Sequence, residues 1–176
     1  MAGLLFFVLM LISCPHPVSM LFALAVHEGG HIITALLLGW GPPKVSMGTT
    51  GIRLSYFGIK KPFSSLAVSL SGCFFGALIS LFPFLPTAFR LYSAGFAAMN
   101  LLPVSRLDGG NALLSLLETG LLPDTSYKVA RIASVSAVLA FWVLSIAVQL
   151  KSGVNVSLLC VSVYLTVSVL TEGKNK

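Results

Sequence analysis

Residues 18–40 read VSMLFALAVHEGGHIITALLLGW, an apolar run whose ionisable side chains are His27, Glu28 and His31. As a helix this run is about 35 Å long, enough to cross the ~30 Å hydrocarbon core of a bilayer. Comparable runs occupy residues 63–82, 87–117, 126–150 and 154–170. Over the chain, 56% of residues are hydrophobic and 9% charged, far from the roughly 25% charged of a soluble domain. Lipid is therefore the solvent this sequence is written for. The expected fold class is an all-α membrane protein of about six transmembrane helices. Residues 1–176 are expected to form a single integral-membrane domain, with a core over 18–117 and two C-terminal spans within 126–170.

The punctuation between the runs supports that division. Residues 1–13 are apolar but short, and Pro15 and Pro17 follow them, so they read as a short first span or as the lead into the next. LISC at 11–14 loosely resembles a lipoprotein cleavage box, yet no basic residue precedes the apolar run as a secretory signal requires. GPP at 41–43 stops the second run. KVSMGTTGIRLSYF then alternates apolar and polar residues around a glycine-flanked turn, the pattern of a short membrane-associated β-hairpin. GCFFG at 72–76 is a small-xxx-small pattern, read as plain close helix packing. Residues 87–117 are too many for one straight crossing and are broken at Pro103.

A net charge of +6 raises the question of nucleic acid. The basic residues, however, are scattered through the connections without a stripe or aromatic interleaving, so no nucleic-acid partner is expected. The positive-inside rule accounts for them. With the hairpin on the cytosolic side, Lys44, Arg53, Lys60, Lys61, Lys128, Arg131, Lys174 and Lys176 fall inside, and Arg90 and Lys151 outside. Cys14, Cys73 and Cys160 are far apart with no CxxC pairing, and read as small apolar fillers.

Chemistry must come from five acids and three histidines. Glu118, Asp124 and Glu172 fall at span ends, and His16 lies between two prolines as an interfacial residue. Glu28 and Asp108 remain, and an acid at bilayer depth costs at least about 2.5–3.5 kcal/mol unless it is partnered. His27 and His31 are four apart and share one helix face. Two imidazoles at that spacing can converge on one Zn²⁺ at about 2.0–2.1 Å, while the glutamate beside the first reaches the water. A catalytic zinc needs a third protein ligand, and Asp108, in NLLPVSRLDGG, is the remaining acid near that depth. Pro103 forces the helix open there, and irregular backbone survives in a membrane only when buried in protein or lining a wet cavity. The competing roles are an ion pair with Arg106 or a cap on a helix beginning near Asn111 for Asp108, and helix termination for Asn100.

HEGGH followed by NLLPVSRLDGG resembles the site-2 proteases, intramembrane zinc metalloproteases whose patterns are HExxH and NxxPxxxxDG. His27, Glu28 and His31 fill the first pattern; Asn100, Pro103, Asp108 and Gly109 fill the second. The match covers about residues 18–117, and the layout is similar to the compact bacterial branch that processes a sporulation pro-sigma factor. The resemblance implies one Zn²⁺ per chain held by His27, His31 and Asp108, catalysis by Glu28, and a substrate-positioning role for Asn100. HEGGH carries glycine where the family often has leucine, and SGCFF stands where many members have a Gly-Pro pattern. No PDZ-like insertion separates the motifs and no nucleotide-sensing domain follows, so substrate filtering and energy sensing are expected to fall to other proteins.

The function expected on this basis is hydrolysis of a peptide bond in or near the transmembrane segment of a membrane-associated substrate, with the site open to the cytosol. The substrate helix must unwind, because its carbonyls are engaged in i to i−4 bonds, and the hairpin offers an edge that an extended peptide could join. A regulatory membrane partner fits the same picture. The alternatives are a divalent-metal transporter and a non-catalytic adaptor that keeps zinc as a staple. A transporter calls for ligands at several depths, whereas the last two runs hold neither acid nor histidine in their apolar cores.

Overall fold

The computed structural model describes residues 14–41, 44–48, 51–55, 61–152 and 156–172. The expectations for residues 1–13 and for the polar tail beyond 172 lie outside the described residues. Among the described residues six helices follow one another: α1 (Pro17–Leu37), α2 (Pro62–Ser80), α3 (Thr87–Asn100), α4 (Asp108–Leu117), α5 (Pro123–Ser152) and α6 (Val156–Glu172). Between α1 and α2, strands β1 (Lys44–Gly48) and β2 (Gly51–Ser55) pair antiparallel, Lys44 opposite Ser55 and Gly48 opposite Gly51. Their side chains, and their expected apposition to a membrane, lie outside the described residues.

Among the described residues, three helices are long and apolar enough to cross a membrane, at Pro17–Leu37, Pro62–Ser80 and Pro123–Lys151. This differs from six complete spans. The 87–117 run divides into α3, of 14 residues, and α4, of 10 residues, about 21 Å and 15 Å long at 1.5 Å per residue. Neither half crosses alone. The apolar stretch Leu158–Thr171 in α6 is also short of a full span.

Proline sets where α1, α2 and α5 begin: Pro17, Pro62 and Pro123 each open a helix, where the missing N–H costs nothing. The end of α1 departs from the sequence reading. Its last turn closes at Leu37, before GPP is reached, because Gly39 takes φ 76°. Trp40 N–H then donates to Ala35 O at 2.9 Å and Gly39 N–H to Leu36 O at 3.0 Å, the reciprocal bonds of a Schellman motif. The turn folds Trp40 back onto Ala35 and Val68, where the three form a small buried cluster.

The packing is inverted relative to a soluble bundle. Phe22, Leu37, Phe63, Phe74 and Leu150 face outward, while Ser93, Ser134, Ser145 and Ser162 are fully buried. With lipid as solvent, large apolar side chains gain nothing from hiding, and small residues are what let helices approach. Helix α2 is central, packing on α1, α3 and α4, and α1 also packs on α3. The C-terminal pair joins through α5, which packs on α4 and α6. Val104 and Leu107, from the interruption between α3 and α4, share a buried cluster with Val138 of α5 and with Val161 and Leu165 of α6.

The stop at Gly39 makes a prediction. Gly39→Ala places a Cβ in the left-handed region and is expected to lower stability by about 1–2 kcal/mol. Gly95→Ala, in α3 with nothing within 4 Å of the added carbon, is expected to raise it by up to about 1 kcal/mol. Thermal unfolding in detergent reads the opposite signs.

Candidate metal centre

His27 and His31 lie one turn apart on α1, buried, with ring centroids 4.9 Å apart and planes at 85°. Asp108 is the first residue of α4 and is about four-fifths buried, its side chain 19% exposed. Its Oδ2 is 2.9 Å from His27 Nε2 and 3.1 Å from His31 Nε2, and the two Nε2 atoms are 3.4 Å apart. The three residues the sequence pointed to as ligands, 77 positions apart between His31 and Asp108, thus present one atom each to a common point. Helix α4 begins at Asp108, three residues earlier than a cap near Asn111 requires, and the carboxylate is turned to the two imidazoles.

The tautomer of one ring follows from its partner. His31 Nδ1 lies 2.7 Å from Val68 O. A carbonyl only accepts, so Nδ1 carries the proton, and in the neutral ring Nε2 presents a lone pair. That lone pair faces Asp108 Oδ2, which is also an acceptor when ionised. Two acceptors 3.1 Å apart repel unless positive charge lies among them. Three corners of a tetrahedron drawn at 2.0–2.1 Å from its centre are about 3.3–3.4 Å apart; the edges here are 3.4, 3.1 and 2.9 Å, so the three atoms have only to spread slightly to take an ion. Donor type, donor geometry and the fixed His31 tautomer all suit Zn²⁺, with Val68 O as the outer partner that orients the ring. His27 Nδ1 is buried without a hydrogen-bond partner among the described residues, so its tautomer has no such anchor.

Glycines make the approach possible from two sides. A Cβ on Gly72 of α2 would overlap His31 Nε2 and come within 2.9 Å of His27 O, so the imidazole occupies the space a side chain would take. GCFFG therefore does more than bring two helices close: its first glycine is the floor under a ligand. On the other side, a Cβ on Gly109 would overlap Leu101 O, and one on Gly110 would overlap Val104 O. The first turn of α4 is seated on carbonyls of the broken segment.

The remaining candidates are placed differently. Glu28 is half-buried and outside the ligand cluster. Asn100, the last residue of α3, donates from Nδ2 to Phe96 O at 3.1 Å, within its own helix. His16 is the exposed residue before α1. Sequence reasoning missed Cys73: it is buried, with Sγ 3.8 Å from Asp108 Oδ2, so the thiol donates to the same oxygen that meets both histidines. Its signal was its place next to Gly72, which the apolar-filler reading passed over.

One prediction follows from the floor under His31. Gly72→Ala is expected to weaken zinc binding at least about 10-fold, the scale seen when an outer-shell support is lost. Gly29→Ala, on α1 with nothing within 4 Å of the added carbon, is expected to bind as wild type. Zinc competition against a chromophoric chelator measures both.

No protein-family model matches the sequence, and no curated protein matches it. Among solved structures, the site-2 protease from Methanocaldococcus jannaschii aligns with 97% of this chain and 87% of its own at a TM-score of 0.67 and 19% identity. At that identity the likeness speaks for the fold: this chain is built on a fold similar to that of this site-2 protease.

Proposed function

We propose that the chain is an intramembrane zinc metalloprotease, hydrolysing a peptide bond in or near the transmembrane segment of a membrane-associated substrate. The observation that carries this reading is the convergence of His27 Nε2, His31 Nε2 and Asp108 Oδ2 within 3.4 Å of one another, with a glutamate next in sequence to the first ligand. The fold likeness supports it. A transporter is disfavoured because, among the described residues, His27, His31 and Asp108 form the one cluster suited to a metal ion, where an ion route calls for several depths.

His27, His31 and Asp108 would hold one zinc per chain, leaving a net charge near +1. Zinc, when bound, supplies a Lewis acid that polarises a peptide carbonyl and makes water nucleophilic near neutral pH. The Glu28 carboxylate takes the proton of the attacking water and delivers it to the departing amine nitrogen, the part of a general base and then a general acid. Val68 O keeps the His31 ring in its ligating tautomer throughout. Asn100, whose amide now satisfies Phe96 O, has donors suited to a substrate carbonyl freed by local unwinding.

The likeness of the chain's layout to the compact sporulation-type branch supports a pro-sigma or anti-sigma factor as the substrate class, with a regulatory membrane partner. The asymmetry of Lys44, Arg53, Lys60, Lys61, Lys128 and Arg131 against Arg90 and Lys151 supports an active site reached from the cytosol.

The test is reconstitution in liposomes with single-span substrates. Glu28→Gln is expected to retain stoichiometric zinc and lose about 10²–10⁴-fold in cleavage rate. Asp108→Ala is expected to lose the metal and the activity together. Cleavage at wild-type rate by Glu28→Gln, or metal flux across the vesicle without cleavage by either protein, would sink the reading.

A further inference from the structure

We propose that Ser134 of α5 is a positioning residue for the metal centre: its hydroxyl fixes the Ser105 peptide and, through it, the turn of α4 that presents Asp108. This deepens the metal-centre reading above and rests on it. Ser134 is fully buried, on a helix that contributes no ligand. Its Oγ lies 2.9 Å from Ala130 O, 3.0 Å from Ser105 N and 2.7 Å from Ser105 Oγ. A hydroxyl has one proton and two lone pairs. Ala130 O accepts only, so it takes the Ser134 proton; both bonds to Ser105 must then be donated by Ser105, from its N–H and from its hydroxyl. Ser134 is saturated, and each bond has a fixed direction.

Lipid makes that saturation matter. Residues 101–107 are irregular backbone within a chain read as lying in lipid, where a backbone N–H must find its partner inside the protein or in a wet cavity. Leu101, Leu102, Val104 and Leu107 find acceptors within the segment or in the end of α3. Ser105 N–H is satisfied from another helix, by Ser134.

The path from Ser105 to Asp108 is short and made of backbone. A Cβ on Gly110 would overlap Val104 O and lie 2.7 Å from Ser105 N, so the first turn of α4 rests against the Val104–Ser105 peptide. Leu107 N–H, just before Asp108, donates to Val104 O at 2.7 Å. The face of α5 that carries Ser134 also carries Val138, one turn on, in the apolar cluster with Val104 and Leu107. In a well-formed site metal–ligand distances fall within about 0.2 Å of their ordinary values, and this tie sets where the Asp108 end of the ligand set stands.

The experiment uses the full-length protein in detergent, with zinc affinity from chelator competition and the d–d spectrum of the cobalt-substituted protein as readouts. Ser134→Ala is expected to weaken zinc binding about 10–100-fold and to change the cobalt bands. Ser134→Thr, which keeps the hydroxyl, is expected to restore both. Ser105→Ala strips one of the two bonds and is expected to fall between wild type and Ser134→Ala. Ser162→Ala is the control: it removes an equally buried hydroxyl that bonds Leu158 O on its own helix, and is expected to behave as wild type. Wild-type affinity and spectrum in Ser134→Ala would overturn the positioning role while leaving the metal reading intact, as would an equal loss in Ser162→Ala. Absence of zinc and cobalt binding by the wild-type protein would overturn both. Should Ser134→Ala fail to fold, Ser105→Ala against Ser162→Ala decides, and equal affinities there overturn the role.

Discussion

A carboxylate placed among apolar helices needs positive charge beside it, and in this protein that demand falls on Asp108. Its Oδ2 is within 3.1 Å of two imidazole nitrogens, one of which offers a lone pair rather than a proton. A cation at the common point would relieve the opposition of the His31 lone pair and the carboxylate and make all three atoms ligands of one ion. The rest of the fold can be read as what it takes to bring those three atoms together. Helix α1 supplies the histidines one turn apart. Helix α2 supplies the Val68 carbonyl that orients one ring and the absent side chain at Gly72 that gives it room. The helix that restarts after the break between α3 and α4 supplies the acid.

The break is itself a balanced structure. Val104 N–H reaches back to Leu102 O at 2.7 Å, a three-residue turn centred on Pro103, whose ring already holds φ near the value such a turn requires. The helix interrupted there restarts at Asp108, which puts the carboxylate at the first position of α4. Gly109 and Gly110 let that restart happen directly against the carbonyls of the turn. A side chain at either position would push α4 away, and with it the acid.

Much of this was legible in the sequence, for identifiable reasons. His27 and His31 declare themselves by their spacing on a helix, and Asp108 by scarcity, since few acids occur and most sit at the ends of runs. Pro103 announces the break. The end of α1 was misplaced because GPP is the louder signal, although Gly39 acts first through a positive φ. Gly72, Cys73 and Ser134 were not legible as parts of the site. Each is a small residue in an apolar helix, where small residues are ordinary packing, and each gains its role from a partner 29 to 41 positions away. Pair contacts at that separation leave no periodicity for a single sequence to show.

The C-terminal helices then acquire a purpose that their composition hides. Their apolar cores hold no acid or histidine, which in the sequence argued against an ion route and left them without a part. In the structure α5 packs on α4 and α6, so the pair is fastened to the element that carries Asp108. Val138, Val161 and Leu165 wedge against Val104 and Leu107, and Trp142 Nε1–H donates to Thr166 Oγ1 at 2.9 Å to hold α5 to α6. The ligand set is drawn from two helices that both pack on α2, the histidines from α1 and the acid from α4, with α5 behind α4 on its other side. An ion that engages all three residues would tie α1 to α4 across α2. Its binding free energy would then add to the stability of the bundle, because the unfolded chain presents no complete site.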